Sequence, residues 1–267
     1  MKQIVYKIFN IFPKLAIRLG GRNLFSIIGL YVQFVYTSVV WKLQGRKDYT
    51  FSFTFNNKTF TLQLIDSTDV AALEEIYTNG EYDWKLSQAP KTILDLGASY
   101  GDTALYYHLT YPEATIYAVE ASPDSYKRLC NHVKEIPQIV PIHAAVADTD
   151  GSIELYLLAE SSLGNSLVKR SENMQKVTVP AMTLATLTKK YNQGTKFDLI
   201  KFDIEGAEEK MFSNCKPEDY GFAYTGEIHH DLMGMSVDEV SQLFAKADIN
   251  IITLNAGVRD IMRANFN

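Results

Sequence analysis

Two cysteines, Cys130 and Cys215, are all that 267 residues contain, and they stand too far apart to match a disulfide staple or a metal-ligand spacing. A cross-linked secreted scaffold and a structural zinc module are thereby excluded. A reduced, cytoplasmic interior with both thiols as packing residues is the simpler expectation. Acid is missing from the first 47 residues, which hold Lys2, Lys7, Lys14, Arg18, Arg22, Lys42, Arg46 and Lys47 and so carry +8. The other 220 residues have 18 basic and 31 acidic side chains, a charge of −13, which argues against a nucleic-acid groove across the main body. No internal repeat and no low-complexity tract interrupts the chain. Its 46% hydrophobic and 12% aromatic content suits one large α/β domain with a small appendage rather than a disordered protein.

What is present falls into three parts. Residues 1–47 form a basic helical segment. Within it Ile4, Ile8, Ile11, Leu15 and Leu19 recur at helical spacing opposite Gln3, Lys7, Asn10, Lys14 and Arg18, with Pro13 a kink or break. LFSIIGLYVQFVYTSVVW, residues 24–41, approaches spanning length, but Ser26, Gln33, Thr37 and Ser38 disfavour insertion, and no clear cleavage signal follows. Two expectations remain open: helices packed on the domain, or a peripheral contact with an anionic membrane surface. Residues 48–89 read as a β-hairpin turning at Asn56-Asn57 and edging or capping the main sheet, then a short helix from Asp69 to Tyr77 that ends near Gly80.

From residue 90 to 267, apolar runs alternate with helical patterns. TILDL (92–96), TIYAVE (115–120), IVPIHAAV (139–146), FDLIKFDI (197–204), FAYTGEI (222–228) and INIITL (249–254) are expected strands. Helices are expected between the first three and from near Glu205 and Val237. The fold class is α/β, a doubly wound, mostly parallel sheet with helices on both faces. Ser122 before Pro123, and the capping box Ser236-Val237-Asp238-Glu239, support the helix starts.

In such a sheet the ligand lies beyond the carboxyl ends of the strands, where Gly97 and Gly101 punctuate a turn. Neither the GxGxxG spacing of a dinucleotide site nor a Gly-Lys-Ser phosphate loop occurs there. Asp95 and Asp102 flank the turn, where a helix N-terminus would otherwise receive an anion, so a ligand with positive charge is expected. S-adenosylmethionine fits: its ammonium and sulfonium suit Asp95 and nearby acids, its carboxylate the turn's N–H groups, and its ribose diol Glu120.

DLGASYGD (95–102), AVEASPDSYKRLCNH (118–132), AAVADTDGSIEL (144–155) and above all DLIKFDIEGAEEKMF (198–212) closely resemble the FkbM family of S-adenosylmethionine-dependent methyltransferases. The resemblance implies that Asp95, Gly97, Ala98, Ser99, Tyr100 and Gly101 surround the methionine part of the cofactor. Glu120, Ala121 and Ser122 would hold the ribose, Ala145 and Val146 the adenine edge, and Asp203 would face the sulfonium. Ser99 stands where similar proteins usually have Asn, which shortens any side-chain contact there.

The resemblance also implies a small-molecule or glycan acceptor, with hydroxyls on sugars, glycolipids and polyketides in range; the acidic main body leaves no nucleic-acid partner expected. For a hydroxyl acceptor a base is useful, and Asp203, Glu205, Glu227 and His229, with His230, are the candidates. The same side chains together with Glu208 would also supply hard metal ligands, but their spacing matches no fixed motif, so no metal is expected. A nucleotide-dependent oxidoreductase and a membrane-associated adaptor with a vestigial cofactor fold are the competing functions.

Overall fold

The computed structural model describes residues 10–20, 24–44, 49–55, 58–65, 67–158, 167, 172, 174–213, 215–229, 232, 236–255 and 259–266. They form two compact units, Met1–Asp83 and Trp84–Asn267.

In the first unit, helices α1 (Phe12–Gly20) and α2 (Leu24–Gln44) precede the hairpin β1 (Tyr49–Phe55) and β2 (Lys58–Leu64), which leads to α3 (Ser67–Glu74). Pro13 is the second residue of α1, and the residues before it, Asn10 and Ile11, are wound as a π-helix, so the winding changes beside the proline, where a kink or break was expected. Residues 1–9, with Ile4 and Ile8, lie outside the described residues. Phe12 and Phe34 stack with centroids 5.3 Å apart and are buried with Leu15 and Leu30. Gln33 faces the hairpin: its amide meets the backbone N–H and C=O of Ser52, both at 3.4 Å.

The hairpin pairs Phe55 with Lys58 across the two expected turn residues, which lie outside the described ones. It makes its own two-stranded sheet, a correction to its expected place on the edge of the main sheet. Helix α3 continues as a π-helical turn, Glu75–Asn79, and Gly80 closes it at φ 68°, the left-handed conformation that glycine adopts without strain. Among the described residues no helix is long and apolar enough to cross a membrane.

The second unit is built on β3 (Thr92–Leu96), α4 (Asp102–Thr110), β4 (Thr115–Glu120), α5 (Pro123–Val133), β5 (Ile139–His143), β6 (Ala145–Val146), β7 (Gly151–Leu158), β8 (Met174–Met182), α6 (Leu184–Tyr191), β9 (Phe197–Phe202), α7 (Glu208–Phe212), β10 (Gly221–His229), α8 (Val237–Leu243), β11 (Asp248–Asn255) and β12 (Arg259–Asn265). Seven strands form one sheet in the order β11-β12-β10-β9-β3-β4-β5. Neighbours from β10 to β5 are parallel; β12, inserted between β10 and β11, is antiparallel to both.

The six expected strands are present, but residues 139–146 divide at Ala144, and β12 was not anticipated. Its sequence RDIMRAN carries three charges in seven residues, which masks a strand lying between two others. A second, three-stranded sheet, β6-β8-β7, was also not expected. It packs Ala145, Leu155 and Val179 into a small core of their own.

Apolar burial holds the main sheet. Phe202, Phe212, Tyr224 and Phe244 meet edge to face or tilted, with centroids 5.1–6.4 Å apart, an arrangement aromatic quadrupoles favour. Ser122 caps α5 and Ser236 caps α8, the latter in a complete capping box with Glu239. Both thiols are free, and burial pushes the Cys215 thiol up to about 12, which leaves it a packing group.

Candidate active site

The central strand β3 is entirely apolar on its inner positions except for Asp95, and its neighbour β9 carries Lys201 in the same layer. Neither charge reaches water: Asp95 is 0% and Lys201 1% exposed. The Lys201 ammonium lies 3.3 Å from Asp95 and 4.0 Å from Asp203, and donates to the carbonyls of Gly97 (2.9 Å) and Leu96 (3.4 Å). Burial alone would lower its pKa, but Asp95, Asp203 and Asp102 outweigh it and hold the charge above the usual lysine range. Thr103 donates to the other Asp95 oxygen at 2.6 Å. Asp95, expected at the cofactor ammonium, thus points inward and anchors the turn from beneath.

The turn itself is forced by close approach. Gly97 has φ 76°, and a Cβ there would lie 1.8 Å from the Asp203 carbonyl oxygen, so only glycine lets β3 and β9 end side by side. The N–H groups of Gly97 and Ala98 both donate to the Val119 carbonyl at 3.0 Å, and that of Gly101 to Ala98 at 2.8 Å. These donors, expected to receive a carboxylate, serve the turn instead. Ser99, at φ 46°, donates its N–H to Glu120 Oε2 at 2.8 Å.

Glu120 ends β4 at the pocket wall. Ser122 N–H binds its second oxygen at 2.7 Å, and among the described residues no cation touches it. Burial pushes its pKa up to about 7, against the opposing pull of the two backbone N–H groups and the Lys201 charge.

An open crevice runs along the carboxyl ends of these strands, and its space, the open mouth included, is about 680 Å³. Of the expected cofactor residues, Gly97, Ser99, Glu120, Ala121, Ala145, Val146 and Asp203 line it. Ala98, Tyr100, Gly101 and Ser122 do not; they hold the wall in place. Tyr100 is fully buried, with the Arg128 guanidinium 4.6 Å above its ring and His132 Nδ1 2.7 Å from its carbonyl. Gly101 caps α4 where a side chain would press on Leu129. Leu155 and Leu167 line the apolar end beside Val146, and nothing in the strand pattern distinguishes them.

At the opposite end the four expected catalytic residues come together. Asp203 follows β9, Glu205 lies two residues on at a strained φ of 53°, and Glu227 and His229 share one face of β10. His229 Nε2 is 3.3 Å from Glu227, 3.7 Å from Asp203 and 3.9 Å from Glu205; Nδ1 is 3.1 Å from Glu208. Burial would lower the imidazole pKa, but Glu208, Glu227 and Asp203 drive it up to about 11, so the ring is charged at neutral pH. Arg259 binds both Glu227 oxygens, at 3.1 and 3.3 Å.

Asp203, Glu205 and His229 each offer one donor atom, and the three atoms lie within 4.8 Å of one another. His230 lies outside the described residues. The sequence reading missed Lys201, Arg259 and the position of Glu208. Lys201 had a signal, the one basic residue in the apolar run DLIKF, whereas Arg259 is brought in by the unanticipated β12.

The residues present suit S-adenosylmethionine. An unneutralised carboxylate at Glu120 matches a ribose diol, Val146, Leu155 and Leu167 match an adenine face, and Asp203 offers negative charge to a sulfonium.

The family described as "Methyltransferase FkbM domain" matches residues 95–251. No curated protein is similar enough to the sequence to count as a match. Among solved structures, a methyltransferase FkbM from Methylobacillus flagellatus is similar at 11% identity, covering 98% of this chain and 60% of that one, with a TM-score of 0.45. Aeropyrum pernix fibrillarin with natively bound S-adenosyl-L-methionine aligns at 15% identity over 83% of this chain and 85% of that one, TM-score 0.44. M. capricolum TrmK in complex with S-adenosyl-homocysteine aligns at 10% identity over 71% of this chain and 67% of that one, TM-score 0.43.

Proposed function

The chain belongs to the FkbM family of S-adenosylmethionine-dependent methyltransferases, and we propose that it methylates a hydroxyl on a sugar, glycolipid or other small molecule. The observation that carries this reading is that Asp203 and Glu205, which line the crevice together with Glu120, are backed by the buried Glu227 and His229. When bound, the cofactor supplies an activated methyl group. The chain supplies alignment: methyl transfer is an in-line displacement, so holding donor and acceptor in register carries much of the rate. Glu120 binds the ribose hydroxyls and Asp203 faces the positive centre.

A hydroxyl acceptor must lose its proton as the methyl arrives. His229, charged at neutral pH, holds the carboxylates in place rather than taking that proton. Asp203 and Glu205, whose side chains are 28% and 27% exposed at the crevice, are the acceptors within reach. A methyl-transfer screen with labelled cofactor across glycan, lipid and small-molecule acceptors tests this. Transfer to hydroxyl-bearing acceptors is expected; transfer confined to amines or thiols overturns it.

The same reading places the enzyme in the cytoplasm, against an anionic membrane surface. Two features of residues 1–47 support it: eight basic and no acidic residues, and the outward row Leu24, Phe25, Ile28, Val32 and Tyr36 along α2. The outward row is the face that a lipid headgroup layer would receive.

A further inference from the structure

We propose that Asp203, Glu205 and His229 hold a divalent cation of the Mn²⁺ or Mg²⁺ kind at the acceptor end of the crevice. Bonds of about 2.0–2.4 Å allow two donors of one ion to lie no more than about 4–5 Å apart. The three donor atoms here, two carboxylate oxygens and one imidazole nitrogen, lie within 4.8 Å of one another, so all can reach a common centre with small side-chain movements.

The imidazole is oriented as metal-binding imidazoles are. Nδ1 is tied at 3.1 Å to Glu208, which is 1% exposed, and Nε2 is turned toward Glu227, Asp203 and Glu205, at 3.3, 3.7 and 3.9 Å. Glu208 gives an independent sign: its other oxygen is buried and has no hydrogen-bond partner, an acceptor left beside the same cluster. Glu227 stands closest to Nε2, at 3.3 Å, but Arg259 binds both of its oxygens and neutralises it. Lys201 lies 3.3 Å from Asp95 and 4.0 Å from Asp203. Asp203, Glu205 and Glu208 lie 3.7, 3.9 and 3.1 Å from the ring nitrogens of His229. Two oxygen donors and one nitrogen favour a hard or borderline divalent ion over the soft ions that thiolates select.

Asp203 and Glu205 line the crevice, so the ion's remaining positions would face the acceptor. On the reading of hydroxyl methylation, this narrows the acceptor to one with two adjacent oxygens able to bind a metal together, such as a vicinal diol.

Titration of the tag-free full chain with MnCl₂, without cofactor or acceptor, tests the site by the paramagnetic resonance signal of free Mn²⁺. One ion per chain is expected, and Glu205→Gln or Asp203→Asn should weaken binding by about ten- to a hundredfold. A free-ion signal undiminished up to millimolar Mn²⁺ overturns the site, as does a folded Glu205→Gln variant that binds like the parent. Glu205 is partly exposed, so this variant serves even if Asp203→Asn fails to fold. Labelled-methyl transfer with and without EDTA separates the two ideas. Transfer to hydroxyls that EDTA leaves unchanged, in a chain that binds no Mn²⁺, removes the metal and keeps the function. Mn²⁺ binding without transfer to any hydroxyl does the reverse.

Discussion

The two ends of the crevice handle negative charge in opposite ways. Glu120 is a single carboxylate held by two backbone N–H groups with no cation in contact among the described residues, and burial lifts its pKa to about 7. At the far end, Glu208, Glu227, Asp203 and Glu205 crowd around His229, and the same shortage of water is met by moving the imidazole to about 11. Desolvation penalises charge in both places. An isolated acid meets the penalty by holding its proton; a crowd of acids meets it by holding a cation. The first end suits neutral hydroxyls, the second a positive centre or a metal.

The change that damages both ends together should have the largest effect. Gly97 is where the turn under the cofactor touches the Asp203 carbonyl, so Gly97→Ala must separate β3 from β9. Calorimetry with S-adenosylhomocysteine is expected to show no measurable binding, and the melting temperature to fall by several degrees. Retained affinity would mean that the turn tolerates opening.

Next in size are changes confined to the acceptor end. Glu227→Gln frees Arg259 and removes a negative neighbour of His229, and should lower turnover by about a hundredfold with little change in cofactor affinity. His229→Ala should match that loss in turnover, and should also destabilise the fold because Glu208 is left buried without its partner. Equal losses of cofactor affinity in both variants would dissolve the division between the two ends.

Glu120→Ala acts on the cofactor end alone. It removes charge-assisted hydrogen bonds to the ribose and should cost on the order of 2–3 kcal/mol in cofactor binding, with turnover at saturation less affected. Unchanged affinity by calorimetry removes the ribose role.

A smaller effect follows from the Glu120 pKa. The folded value, about 7, lies above the ordinary 4.5, so between those two the native state binds more protons than the unfolded chain. Its contribution to stability therefore falls as pH rises from 4.5 to 7 and stays at its lowest above 7. Cofactor affinity runs the other way, because the ribose needs the carboxylate, and it should drop about tenfold from pH 8 to pH 6. Glu120→Gln should flatten that profile. The mildest expected response is at the membrane, where vesicle sedimentation should strengthen with anionic lipid and weaken with salt. Binding indifferent to both would leave residues 1–47 without a lipid role.

Much of the site was legible because its residues are local in sequence. Gly97, Ser99, Glu120, Ala121 and Asp203 follow directly on strands, and a parallel sheet gathers all strand ends on one edge. The misplacements have a common cause. Asp95 and the turn's N–H groups looked available because their partners, Lys201 and the Val119 carbonyl, lie on other strands. Arg259 lay in a strand whose charges resemble a loop, and it reaches Glu227 only because β12 is antiparallel to β10.

The sequence by itself determined the class of fold, the strand ends that form the crevice and the chemistry of its ligand, because apolar periodicity, glycine spacing and acid placement act over a few residues at a time. Only the tertiary structure decided which charges face the ligand and which face each other. Lys201 lies 106 residues from Asp95, and Arg259 lies 32 from Glu227. Whether a carboxylate meets a cation or a ligand depends on the desolvated neighbours that folding brings to it, and pairing at that range leaves no periodic trace in the chain.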